Sequence, residues 1–287
     1  MAVLMNRYTK QRLFGIAVRA AAMLVVSVML LVVSVTLARG GRVLLADPAI
    51  MATPPGSRYM LEGNGGFLHA VLGSMFIVGP ATILSMVLAV STATYLQSDY
   101  SSQRFSESVN MFLNVLWGTP PIVYGVFVLT IIIALGAQTS LFFGIIAIAI
   151  FQYPIMTRYT DEALRAAPDT VRESTYGLGA TRFESACMTV RAAAPGVIAG
   201  LIMGFARGIG DAATVLFTTG RSTRMPGGLF DAATTLPVLI FDQAMSFNPE
   251  VRSHAYAASF VLTVVVLGLI FTSKILAGRY ARYTPGG

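Results

Sequence analysis

The chain has 287 residues, of which 55% are hydrophobic and 11% charged, with a formal net charge of +7; that balance excludes a soluble globular domain and defines an integral membrane protein. Nucleic-acid binding is excluded as the meaning of the positive charge, because the Lys and Arg stand scattered at the edges of apolar runs instead of on a polar face among aromatic platforms. A single cysteine, Cys187, leaves no internal disulfide framework, and two histidines cannot assemble a zinc site of ordinary Cys/His composition.

Arg7, Lys10 and Arg12 precede an apolar stretch from Leu13 to Ala38, interrupted only by Arg19. A secretory signal has a similar basic start but a shorter apolar core, so this stretch is expected to be a retained first span. From Arg39 to Gly66 the composition changes to Gly, Pro and charge, which predicts an external loop with a short surface helix. A second span is expected from Phe67 to Leu96, kinked at Gly79-Pro80.

After the polar link QSDYSSQRFSES a third span is expected from Val109 to Leu135, interrupted at Trp117-Gly118-Thr119-Pro120-Pro121. Two prolines in mid-span predict a broken helix. A kink tolerated against a neighbour and a place on a transport pathway both fit Pro120 and Pro121. A fourth span from Leu141 to Met156 leads into a polar island, Arg165 to Gly196. The fifth span is expected from Gly196 to Thr219, a mixed loop from Gly220 to Arg252, and the sixth span from Ala255 to Leu276. The expected fold is therefore all-α and polytopic, with six transmembrane helices. Its segments are 1–40 (N-terminal cytoplasmic segment and first span), 41–66 (external loop), 67–276 (core, with a cytoplasmic loop at 158–195 and an external loop at 220–254) and 277–287 (cytoplasmic tail).

Placing the N-terminus inside puts thirteen of the 20 Lys and Arg on the cytoplasmic side, among them Arg104, Arg158, Arg172, Lys274, Arg279 and Arg282, and six outside. That bias predicts both termini in the cytoplasm, and with them the polar island. In the island, Thr170 to Glu173 and Thr181 to Glu184 both fit a capping box, and Gly177-Leu178-Gly179 lies between them. Two short helices at a sharp turn are expected, with Leu178 and Phe183 as apolar knobs. A short amphipathic helix on the lipid surface fits the same composition.

The stretch RESTYGLGAT resembles the EAA loop of permease subunits in ABC importers. The resemblance implies an importer type I permease fold and makes this loop the coupling helix that docks on an ATPase subunit. It places Glu173 at the family's glutamate, Ser174 and Thr175 at its two small residues and Gly179 at its glycine, with Gly177, Leu178, Ala180, Thr181 and Phe183 completing the docking turn. The general pattern continues to a Leu-Pro pair, where this chain has Arg191-Ala192. A basic residue there is a habit of the PstA-type permeases of phosphate importers, and ARGIGDAATVLFTTG (206–220) and LPVLIFDQAMS (236–246) resemble segments of the same group. The resemblance covers the second half of the chain well and the first half by topology only. It implies a PstC-like second permease, a PstB-like ATPase dimer, a PstS-like external phosphate-binding protein and surrounding lipid as partners, and no nucleic acid.

Arg207 and Asp211 lie four residues apart in the expected fifth span, so on a helix they share a face and can pair. A charge at bilayer depth costs at least about 2.5 kcal/mol, so each is expected to face a partner, a cavity or a subunit interface. A structural ion pair that fixes packing is one reading; an anion way-station, with Arg207 offering a fork of donors and Asp211 restraining it, is the other. With Gly210, Pro120 and Pro121 these residues form the candidate pathway. Where the relatives have Glu-Thr, this chain has Asp211-Ala212, which shortens the acid and removes a hydroxyl.

No Walker A loop occurs, and Lys10 and Lys274 are the only lysines, so the chain is expected to bind no cofactor and to leave ATP to a partner. An intramembrane hydrolase is the competing enzymatic reading, but no GxSxG elbow is present, and His69 and His254 are expected on the surface near span ends. A membrane scaffold explains the spans without the turn or the charges. Among transport readings, phosphonate, sulfate, molybdate and tungstate stand beside phosphate.

Overall fold

A computed structural model describes residues 7–97 and 99–281; Arg282, counted above among the flanking basic residues, lies outside them with the rest of the tail to 287. Every regular element among the described residues is a helix. Four are long and apolar enough to cross a membrane: α1 (Arg7–Ala46), α3 (Leu68–Tyr95), α6 (Leu141–Arg165) and α11 (Pro249–Ala281). Two bent pairs raise the number to six if each counts as one span: α4 (Gln103–Gly118) with α5 (Pro121–Ala134), and α8 (Arg182–Ala192) with α9 (Ala194–Ile209). The remaining α-helices are α2 (Tyr59–Glu62), α7 (Asp169–Gly177) and α10 (Leu236–Ala244), and a 3-10 turn spans Pro48–Met51.

The first helix does not stop at Ala38. It continues through Arg39, Gly40 and Gly41 because the glycines serve packing: a Cβ on Gly40 would lie 2.6 Å from the Phe260 Cβ and collide with the Tyr256 carbonyl on α11. Small residues let two helices approach in this way. Arg39 fastens the same crossing, donating to the Tyr256 hydroxyl at 2.6 Å with its guanidinium 5.2 Å from that ring's centre. Most of α1 is otherwise unburied by the rest of the chain. The next long helix, α3, runs unbroken through Pro80.

At the centre α3 packs on α6, and α6 and α11 both pack on α9. Apolar side chains such as Ile77, Ile148 and Val215 fill this core. Side-chain hydrogen bonds tie the helices where lipid offers no partner. Ser85 donates to the Ala149 carbonyl at 2.8 Å, Ser273 to the Ala199 carbonyl at 2.9 Å, and Gln152 lies between Thr82 and the Gly204 carbonyl at 3.1 and 3.0 Å.

Residues 47–67 are folded rather than draped. Ile50, Tyr59 and Phe67 form one core with Leu236, Leu239 and Ala257, and a bridge between Pro55 and Gly65 closes the loop. Both histidines belong to this core, contrary to the surface position expected for them. His69 is 1% and His254 6% exposed, with ring centres 5.3 and 5.5 Å from that of Tyr59. The loop folds back over the span ends and covers them. Burial also pushes the Tyr59 phenol up to about 12.

Candidate functional site

The polar island forms the expected pair of short helices, and the turn between them is built by backbone chemistry. Gly179 has φ +81, a conformation that glycine reaches without a Cβ clash. The Ala180 amide donates to the Thr175 carbonyl at 3.2 Å and the Gly179 amide to the Tyr176 carbonyl at 2.9 Å, the two bonds of a Schellman motif. Thr181 then caps α8. Its amide and hydroxyl both donate to Glu184 at 2.8 Å, and its Oγ1 accepts from the Glu184 amide at 3.4 Å. These bonds from Thr181 hold the Glu184 carboxyl below its ordinary range.

The first capping box does not form. α7 starts at Asp169 behind Pro168, which places Thr170 inside the first turn, where its hydroxyl cannot cap. Glu173 and Ser174 are exposed on α7, while Thr175 donates to the Val171 carbonyl at 2.5 Å. At the apex, Leu178 is 89% and Phe183 77% exposed. Gly177 and Gly179 have open space where a Cβ would stand. Two large apolar side chains projecting from a capped turn between charged helices form a surface suited to a cleft in another protein.

Residues the sequence reading passed over hold this hairpin in place. The Tyr100 hydroxyl donates to the Arg182 carbonyl at 3.0 Å, and Arg172 lies 3.5 Å from Asp99 while donating to Asp169 at 2.8 Å. Gln97 donates to Asp161 of α6 at 3.0 Å, and Arg165 pairs with the other oxygen of that carboxylate at 3.0 Å. The signal was the cluster of hydrogen-bonding side chains in the α3–α4 link.

The second candidate region lies where two spans break. α4 and α5 meet at 98°, because a residue before proline is driven out of the helical region and two successive prolines do this twice. Thr119 and Pro120 are both extended, with ψ 128 and 139, and Pro121 begins α5 where its missing amide is not needed. Tyr124 ties the two halves across the break by donating to the Leu116 carbonyl at 2.5 Å.

The fifth span ends at Ile209 and not at Thr219. Gly210 caps α9, and Asp211 accepts from the Thr214 amide at 3.0 Å, stabilising a turn in place of further helix. Arg207 and Asp211 consequently form no ion pair. The Arg207 guanidinium lies 5.5 Å above the Phe151 ring, which packs edge-on to Tyr124 at 5.8 Å. The Thr214 hydroxyl donates to the Pro121 carbonyl at 3.2 Å, and a Cβ on Gly125 would lie 2.7 Å from the Thr214 carbonyl. The proline break, Arg207 and Asp211 are thus gathered around the start of α5 through Tyr124, Phe151 and Thr214. Pro120 and Gly210 are exposed at the edges of this region. Arg207 is exposed on the isolated chain, with its cation on an aromatic face and no carboxylate at ion-pair distance among the described residues, a position suited to an anion or a neighbouring subunit.

An all-helical membrane protein with an exposed, capped hairpin and interrupted spans is the class of a multi-pass transport subunit. The sequence model of the "binding-protein-dependent transport system inner membrane component" family matches residues 85–282, and the chain belongs to that family, the permeases of ABC importers. It is similar to proteins named phosphate transport system permease protein PstA. The one from Yersinia pestis is 31% identical over 80% of this chain and 76% of its own length. Those from Mycobacterium leprae and Haemophilus influenzae are 34% and 31% identical, covering 72% and 73% of this chain and 69% and 75% of their own lengths.

Proposed function

We propose that the chain is a membrane permease subunit of an ATP-driven importer of inorganic phosphate, with both termini and the α7–α8 hairpin in the cytoplasm. The observation that carries the substrate is the similarity to several phosphate permeases along most of both chains. The distribution of basic residues supports the orientation. In this reading a related second permease completes the pathway, an external binding protein delivers phosphate, and a pair of ATPase subunits receives Leu178 and Phe183.

Closure of the ATPase pair would move the hairpin as a body. Asp99, Tyr100 and Gln97 would pass that movement to α3 and α6, a rigid-body coupling through packed elements. Arg207, held over Phe151 and outside ion-pair distance of Asp211, would offer guanidinium donors to the phosphate oxygens at the interface with the second permease. Asp211 would shape the turn that presents it.

The test is radiolabelled phosphate uptake at low external phosphate in cells lacking this chain. Uptake is expected to be lost, to return with the wild-type chain, and to stay lost with Arg207→Gln although the complex assembles. Wild-type uptake without the chain, in a strain holding no second phosphate importer, overturns the assignment. Competition by sulfate, phosphonate, molybdate or tungstate in place of phosphate reassigns the substrate within the same family.

A further inference from the structure

A groove of about 670 Å³ runs between α8 and the last turns of α3, reaching Tyr100 in the link after α3 and Phe183 at the edge of the hairpin's apex. Val90, Ala186 and Val190 give it apolar walls, and Tyr95 stands beside them at the end of α3. Arg182 and Arg191 line it from the two ends of α8, about 13 Å apart along the axis at 1.5 Å per residue. Among the described residues neither guanidinium has a hydrogen-bond or ion-pair partner, whereas Arg58, Arg165, Arg172 and Arg221 all do.

An apolar trough between two unpaired cations calls for an amphiphile with negative charge. Its level in the molecule matches: α8 bends by 67° into α9, and α3 ends at Tyr95, an amphipathic aromatic of the kind found at the headgroup level. We infer that the groove binds one anionic phospholipid, its acyl chain along Val90, Ala186 and Val190 and its negative charge attracted by Arg182 and Arg191 at the ends of α8. The inference rests on the hairpin being at the cytoplasmic face of a membrane permease. A lipid seated there touches both the end of α3 and the whole of α8, so it sets the angle between the hairpin and the membrane core.

Cys187, the chain's only cysteine, is exposed and lines the groove, which makes its alkylation a direct reporter of occupancy. The experiment uses the assembled complex in nanodiscs of phosphatidylcholine, with or without added phosphatidylglycerol. It measures the rate at which a water-soluble maleimide labels the peptide containing Cys187, together with the lipid retained in native mass spectrometry. Phosphatidylglycerol is expected to slow labelling several-fold and to stay bound. Each Arg near an anionic lipid is worth roughly a five-fold gain in affinity, so Arg182→Gln with Arg191→Gln is expected to weaken retention about 25-fold. Arg182→Lys with Arg191→Lys is expected to keep most of it.

Equal labelling in the two bilayers overturns the proposal. So does protection in phosphatidylcholine alone, which assigns the groove to another subunit, and so does protection by inorganic phosphate without anionic lipid. Phosphate uptake by the same wild-type complex reconstituted in closed vesicles of the same lipids separates the two readings: lost lipid protection with intact uptake removes only the lipid site. Protection without uptake removes only the transport assignment.

Discussion

The hydroxyl of Tyr100 donates to the carbonyl oxygen of Arg182 at 3.0 Å, joining the link between α3 and α4 to the first residue of α8 across 82 positions of sequence. The covalent connections of the hairpin run to α6 and α9. Tyr100 and the neighbouring Asp99, which faces Arg172 at 3.5 Å, add α3 to them. Burial, reinforced by the Tyr176 phenol beside it, pushes the Tyr100 hydroxyl up to about 12, so it remains a donor throughout the physiological range.

Tyr100→Phe removes that bond together with the hydroxyl's interactions with Tyr176 and Ser185, a loss of about 1 kcal/mol or more. The expected result is a hairpin that still holds the ATPase subunit but transmits its movement less well. Uptake per ATP hydrolysed should fall a few-fold, while co-purification of the ATPase stays unchanged. Full coupling in this variant, measured in proteoliposomes with the binding protein present, removes the link from the transmission path.

The two glycines of the hairpin separate conformation from docking. Gly179 sits at φ +81, so Gly179→Ala is expected to cost about 1–2 kcal/mol in the turn. Gly177 is helical, with open space around it, so Gly177→Ala should firm the last turn of α7 by up to about 1 kcal/mol. Hydrogen exchange of residues 169–192 is expected to speed up in the first variant and slow in the second. Gly177→Trp obstructs the surface beside Leu178, and loss of ATPase association with exchange no faster than in the wild type is its expected signature.

The spans, the hairpin turn and one of its caps were legible because they depend on local composition and on the residue types a turn demands. Gly40-Gly41 carries the local signal of a helix stop, since nothing local distinguishes a breaking glycine from one that admits α11. Pro80 and the pair Pro120-Pro121 carry the same local signal, yet only the pair breaks the helix. Arg207 and Asp211 have the spacing of a helical ion pair, and they part because Gly210 and the Asp211 turn end α9 between them. The histidines depart from their expected surface position for a related reason: burial of His69 and His254 depends on a loop that folds back from residues 47–67, a long-range contact without a local mark.

Acid should loosen the hairpin through its surviving cap. Glu184 is held below its ordinary range by the amide and hydroxyl of Thr181, so its contribution is fully present above the ordinary glutamate value and is lost as pH falls through the lowered one. Exchange protection of α8 is therefore expected to be flat near neutrality and to fall in acid. In Glu184→Gln that acid dependence should vanish. Thr181→Ala should lower protection at every pH, by about 1 kcal/mol. An unchanged acid profile in Glu184→Gln means that another group controls the loosening.

Gln152 offers the sharpest test of the bundle itself, because one fully buried amide bridges three helices: it accepts from Thr82 on α3 and donates to the Gly204 carbonyl on α9. Gln152→Leu keeps the bulk but leaves the Thr82 hydroxyl without its partner, an expected loss of about 1–3 kcal/mol. Gly208→Ala attacks the same place by overpacking, since a Cβ there would collide with the Gln152 amide nitrogen, and is expected to cost about 1–3 kcal/mol. Gly208→Ala and Gln152→Ala share one contact and should not add: in their double variant the smaller side chain makes room for the new methyl group. Thermal unfolding of the purified complex should show the double variant losing less than the sum of its single changes, by at least about 0.5 kcal/mol. Simple additivity means that the collision is relieved by movement of α9 instead, and predicts that Gly208→Ala alone lowers transport more than stability.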